Sequence, residues 1–310
     1  MSVSAFSPVP WCLKAPVEAP SMETADDWLA NWRQLPLNEL SPFALAVMGG
    51  FQADRAAWAF SAGYEAALRA MFPQISGGGL HGFSLSEEGV RSPRDLQTLW
   101  QADDAGGIRL SGNKGWVPLP SHCEAYFVVC RASGPQGALS VVCVPATADG
   151  VSMSPRNPAA FMPELPAARM QLQDVVLDAS AMLPGDGWAD YARPFGALEE
   201  LYVSAALMGY LLREGRARDW PQAMLRQMLA AITLLERVAT EAGSDQSLVL
   251  LAGATEWVRS LMNQATAQWA EQPGDEAGQR WTRDQSVQRM WAAFGAKRGD
   301  RAWQALTAKS

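Results

Sequence analysis

The side chains able to do chemistry in this 310-residue chain are few, and their spacing narrows what they do. Cys12, Cys123, Cys130 and Cys143 stand without a CxxC pair, so no zinc or dithiol redox motif is spelled out. Three of them lie in or beside apolar runs, where a reduced thiol packs as a small hydrophobe. Such thiols fit a reducing compartment better than a disulfide. His81 and His122 are the only imidazoles; a metal site would have to gather scattered ligands, and none is expected. Arg91, Lys114 and Arg131 read either as ordinary surface charges or as partners for a phosphate on a small ligand. The formal charge of −7 argues against a nucleic-acid binder, which needs a basic face.

The elements that must position these groups change character along the chain. Hydrophobic residues make up 48% of it, with 13 Trp and 13 Met, ample for a large core. Residues 1 to about 22 are Pro-rich and read as a tail or extended arm, without the pattern of a signal peptide. No apolar run approaches the ~20 residues that span a bilayer, so a soluble, cytoplasmic protein with no membrane partner is expected. Residues 24–72 follow a helical pattern. Asp26 or Asp27 would cap a helix carrying Trp28, Leu29 and Trp32, and 42–70 form one Ala-rich stretch that Pro73 and Gly77-Gly78-Gly79 bring to an end.

From about residue 80 to 184, short runs rich in Val, Phe, Tyr and Cys alternate with turn residues, and the clearest strands are 107–110, 125–131, 138–144 and 169–176. The middle two are apolar throughout, so both of their faces should be covered. The last alternates, with Met170 and Leu172 on one face and Arg169, Gln171 and Gln173 on the other. Beyond Phe195 the pattern is helical again: 198–213, then Met224, Met228, Ile232, Leu235 and Val238, then Leu250, Ala254, Trp257, Leu261, Ala265 and Trp269, then 284–306. The order predicts an α+β multidomain chain: an N-terminal helical domain (1–78), a central small β-barrel (79–190) and a C-terminal helix bundle (191–310).

The joints of that order carry motifs. Gly82-Phe83-Ser84-Leu85-Ser86-Glu87-Glu88-Gly89 resembles the "FALTEP" signature that opens the barrel of the acyl-CoA dehydrogenases. Gly63-Tyr64-Glu65-Ala66-Ala67-Leu68 to Phe72-Pro73 is similar to the "GTEEQK…LP" helix end before it. Leu110-Ser111-Gly112-Asn113-Lys114-Gly115-Trp116-Val117 resembles "LNGTKxWI" after it. Gln173-Asp174-Val175-Val176 with Leu183-Pro184-Gly185-Asp186-Gly187 resembles "FDDVRVP…LLGEEG", and Arg283-Asp284 the late "RD". The motifs run in the family's order over residues 63 to 284.

The resemblance implies FAD as cofactor and an acyl-CoA or related thioester as substrate. It places Leu85 and Ser86 on the pyrimidine side of the flavin and Trp116 against its ring; from the residues alone, Trp116 also reads as a core tryptophan at a strand end. Pro118 stands where the family has a flavin-bonding Thr. The usual catalytic Glu position falls on Ala292, which takes no proton. A minority of members carry the base ten residues before the glycine of the next helix, which here is Glu199 before Gly209. Glu199 equally reads as a solvated or capping glutamate of a first helical turn. Arg218 is the nearest match to the arginine that meets the flavin pyrophosphate of a neighbouring subunit, but its following FG is absent. Only Gln268 to Gly274 occupies the place of the glycine-rich adenosine loop. Three functions follow: an acyl-thioester oxidoreductase, a non-catalytic binding or partner subunit, and a flavin-dependent monooxygenase on the same fold. Family members bury their C-terminal helices in oligomers, which implies a homodimer or homotetramer, or a heteromer with a related subunit.

Overall fold

The computed structural model describes residues 6–134 and 137–308, apart from the side chains of 286–294. Ala292 is one of the latter and lies outside the described residues. The chain forms two compact units. A helical unit takes the residues up to Gly78, Ala159–Glu164 and those from Ala197 onward; a sheet unit takes Gly79–Pro158 and Leu165–Gly196.

The N-terminal segment, expected to be a tail, contains helix α1 (Pro8–Lys14). Pro16 ends it by forcing Ala15 into extended backbone, and the Arg216 guanidinium donates to the carbonyls of Cys12 and Ala15, orphan acceptors at the helix end. Helix α2 (Ala25–Trp32) is capped by Thr24 rather than by Asp26 or Asp27. Asp27 Oδ2 accepts from the Thr24 N–H at 2.9 Å while Thr24 Oγ1 accepts from the Asp27 N–H at 3.2 Å, a reciprocal capping box.

The stretch 42–70 holds two helices, α3 (Pro42–Gln52) and α4 (Ala56–Met71). The break falls at Ala53-Asp54-Arg55, where the buried Arg55 guanidinium is met by Asp54 at 2.8 Å, Glu23 at 3.0 Å and Glu164 at 3.5 Å. Both helices touch α5 (Arg193–Ala217) backbone to backbone. A Cβ added at Gly50 would lie 2.0 Å from Ala206 O, and one at Gly63 would lie 2.5 Å from Val203 Cα. Only glycine permits that approach. Trp58 and Trp32 flank Trp28, at 5.9 and 5.8 Å between centroids.

Helices α6 (Gln222–Thr240), α7 (Asp245–Ala270), α8 (Glu276–Asp284) and α9 (Ser286–Thr307) complete the unit. The five expected core residues of α6 are all buried. On α7 the buried face carries Leu251, Ala254, Val258, Leu261, Ala265 and Trp269, while Leu250 and Trp257 are half-buried at its margins. The segment Gly187–Ala217 is long and apolar enough to cross a membrane by length and composition, but 72% of its most apolar window is buried within the protein. It therefore reads as a core helix.

The sheet unit is one seven-stranded sheet of β1 (Leu80–Ser84), β2 (Leu99–Ala102), β3 (Ile108–Pro118), β4 (Cys123–Ala132), β5 (Leu139–Pro145), β6 (Val151–Pro155) and β7 (Ala167–Leu177). One edge of β4 pairs with β5 throughout; the other pairs with β1 in its first half and with β2 in its second. From β2 the order continues through β3 and β7 to β6. The apolar strands β4 and β5 are covered on both faces. On β7, Met170 and Leu172 are buried while Arg169, Gln171 and Gln173 face outward. Strands β1, β2 and β6 are short and mixed in composition and escape a reading based on apolar runs.

Candidate functional site

In the sheet unit the candidate residues gather around the loop after β1. The Gly115 N–H donates to Ser86 O at 2.7 Å, which clamps that loop onto β3. Leu85 is half-buried, and the exposed Ser86 hydroxyl donates to nothing among the described residues. A register irregularity between Lys114 and Val117 turns Trp116 outward, leaving it 41% exposed. It is therefore no core tryptophan. Arg156 holds the indole from one side, with its guanidinium carbon 5.7 Å from the ring centroid and a bond of 2.8 Å to Gly115 O.

Lys114, read from the sequence as a surface or phosphate-facing charge, is buried instead and donates to Glu87 at 2.7 Å. Burial alone would push the Glu87 carboxyl up. The Lys114 charge, together with N–H donors from Gln97 at 2.6 Å and Thr98 at 3.1 Å, holds it below the usual carboxylate range. Arg131 donates to the carbonyls of Leu96 and Gly134, and Arg91 is exposed.

In the helical unit Glu199 lies in an early turn of α5, half-buried rather than solvated. Burial pushes its carboxyl up to about 7, against the pull of Arg298, and repulsion from neighbouring Glu200 adds to the rise. Glu200 pairs with Arg298, which fixes the local charge beside Glu199. A carboxyl poised near neutrality takes and returns protons efficiently.

Arg218 is committed elsewhere. It grips Asp275 in a bidentate pair of 2.7 and 3.1 Å, bonds the Glu214 carboxylate, and lies over Trp269 with its guanidinium carbon 5.9 Å from the ring centroid. Binding a pyrophosphate with Arg218 would break that network. Among the described residues no group of three His, Cys, Asp or Glu is placed to hold a metal ion. Burial pushes the Cys12 and Cys130 thiols up to about 12, which leaves them inert.

Residues 82–175 match the family profile described as the acyl-CoA dehydrogenase middle domain. The butyryl-CoA dehydrogenase of Megasphaera elsdenii has the same fold, with a TM-score of 0.67 at 15% identity over 83% of this chain and 81% of that one. The chain has the acyl-CoA dehydrogenase fold. TdsC from Paenibacillus sp. A11-2, solved with FMN and indole, shares it with a TM-score of 0.71 at 14% identity, covering 92% of this chain and 90% of that one. PigA with FAD and proline gives 0.69 at 13% identity, covering 93% and 91%. No curated protein matches the chain in sequence. Within the acyl-CoA dehydrogenase fold, the "RD" motif proves structural here: Asp284 Oδ1 accepts from the Met162 N–H at 2.7 Å, and Arg283 clasps both oxygens of Glu164 at 2.9 Å. They hold Met162 at a φ of 47°. Sequence reasoning passed over Arg156 and Arg298, since a lone arginine in a loop or a terminal helix carries no spacing signal.

Proposed function

We propose that this protein is an FAD-dependent oxidoreductase of acyl thioesters, with Glu199 as the base that removes the α-proton. Glu199 carries the reading, because a half-buried carboxyl held near pH 7 is what such a base requires. The residues around β1 and β3 fit a flavin ring: the exposed Trp116 offers a flat apolar surface, and Ser86 an uncommitted hydroxyl at the edge of the clamped loop. A bound flavin supplies the two-electron acceptor for the hydride leaving the β-carbon. Glu199 takes the proton from the α-carbon, and Arg298 with Glu200 sets how readily it does so. The acyl-thioester class is supported by the similarity to the Megasphaera elsdenii butyryl-CoA dehydrogenase. Self-association through the C-terminal helices accompanies this reading as an expectation of the fold.

One observation favours a second reading, a binding or partner subunit without flavin chemistry: Arg218 is already spent on Asp275 and Glu214. The visible absorption spectrum, recorded with and without added FAD, separates the two. A bound flavin band that butyryl-CoA bleaches, with bleaching slowed at least 100-fold in Glu199→Gln, supports the oxidoreductase. Absence of the band under both conditions leaves the partner subunit. A band that no acyl-CoA bleaches moves the reaction to another flavin chemistry on this fold.

A further inference from the structure

The outward face of the sheet unit holds a pocket of about 390 Å³, lined by Asn113, Ser154, Arg169 and Gln171 together with Glu87 and Glu88. Its wall is built by pairing: Asn113 of β3 lies opposite Gln171 of β7, and Ser154 of β6 lies opposite Arg169 of β7. Alternation along β7 sends Arg169 and Gln171 to the same outward side. Glu87 is neutralised internally by Lys114. At the rim, Arg156 and Arg169 converge on a single oxygen of Glu88, at 3.1 and 2.6 Å.

That convergence leaves most of the donors unused. Arg169 spends only its Nε on Glu88, and among the described residues its terminal nitrogens donate to nothing. The side chains of Asn113, Ser154 and Gln171 are likewise without hydrogen bonds among the described residues. Glu88 is 58% exposed and free to swing into solvent. Two arginines against one glutamate leave a local excess of positive charge in a chain whose formal charge is −7. A planar guanidinium fork with open donors is matched by the oxygens of a phosphate better than by one carboxylate oxygen.

We propose that Arg156 and Arg169, backed by the amide side chains of Asn113 and Gln171, form a phosphate-binding site in which Glu88 occupies the anion's place until a ligand displaces it. The ligand is a phosphate ester or diphosphate. The proposal goes beyond the reaction suggested above and is tested by binding rather than by turnover, so the two stand or fall separately.

Calorimetric titration of the intact protein with inorganic pyrophosphate at low salt is the test. Saturable binding should weaken at least about tenfold in the Arg156→Ala/Arg169→Ala double variant and strengthen about three- to tenfold in Glu88→Gln, where the internal competitor has lost its charge. Circular dichroism of each variant confirms that it is folded. A merely structural ion pair predicts the opposite for Glu88→Gln, with no gain in binding; that result, or equal binding by the double variant, overturns the site. Two ligand pairs then name the source of the phosphate: FMN against riboflavin, and acetyl-CoA against S-acetylpantetheine. A preference for the phosphorylated member that the double variant abolishes supports the site, and its absence from both pairs overturns it.

Discussion

The Lys114 ammonium lies 2.7 Å from the Glu87 carboxylate, and neither side chain is more than 4% exposed. The pair joins the loop that carries Leu85 and Ser86 to the strand that carries Trp116. Lys114→Met should destabilise the sheet unit by about 3 kcal/mol in chemical denaturation, because it strands a buried carboxylate. Adding Glu87→Gln should recover part of that loss. Glu87 is held below its ordinary 4.5, so its contribution is present above that pH and disappears as pH falls through the lower folded value. In Lys114→Met this acid limb of the stability profile should flatten.

Glu199 has the opposite sign. A carboxyl raised from 4.5 to about 7 favours the folded state below pH 4.5 and loses that contribution as pH rises through about 7. Glu199→Gln should therefore melt at least as high as the parent at pH 8. As a base, the residue must be ionised, so kcat/KM should rise with pH at a slope of about one below its folded value and level off above it. Arg298→Ala should move that midpoint upward by removing the cation that opposes the rise. An unmoved midpoint would separate the base from Glu199.

Trp116 is exposed, so its loss should cost the fold less than about 1 kcal/mol. If its ring stacks on flavin, Trp116→Ala should weaken FAD binding by about 1–3 kcal/mol, read from flavin fluorescence. A variant that melts several degrees lower with unchanged FAD affinity would return Trp116 to a structural role.

At Gly50 the added methyl of Gly50→Ala would meet the Ala206 carbonyl at 2.0 Å, forcing α3 off α5. A loss of about 1–3 kcal/mol or more is expected by thermal melting. Gly253→Ala on α7 is the contrast. Nothing lies within 4 Å of its Cβ, and the change should stabilise by about 0.4–1 kcal/mol.

What the sequence made legible follows from how burial writes itself into residue order. Strand β4 and the α6 stripe were plain because their core positions are apolar and periodic. The bounds of α3 and α4 were not, because the break at Asp54-Arg55 lies between two apolar stretches and is made by ion pairs to Glu23 and Glu164. The α1 helix was hidden because the group that satisfies its last carbonyls, Arg216, lies some 200 residues away. Trp116 was read at a strand end beyond the expected 107–110, whereas β3 runs on through it to Pro118, and only the register irregularity of β3 decides that it points outward. The Arg218 motif had lost its flanking residues, and the partners that now hold it, Glu214 and Asp275, come from one neighbouring turn and one distant helix cap.

The joining of residues before Gly78 with those after Ala197 in one unit has a consequence for synthesis. Helices α3 and α4 leave the ribosome long before α5, the surface that Gly50 and Gly63 are shaped to meet. The sheet unit, nearly contiguous in sequence, is free to fold during that interval. The almost wholly apolar α3 must meanwhile wait without its partner, so nascent chains stalled ahead of α5 should be bound by chaperones, and release should coincide with emergence of residues 197–217.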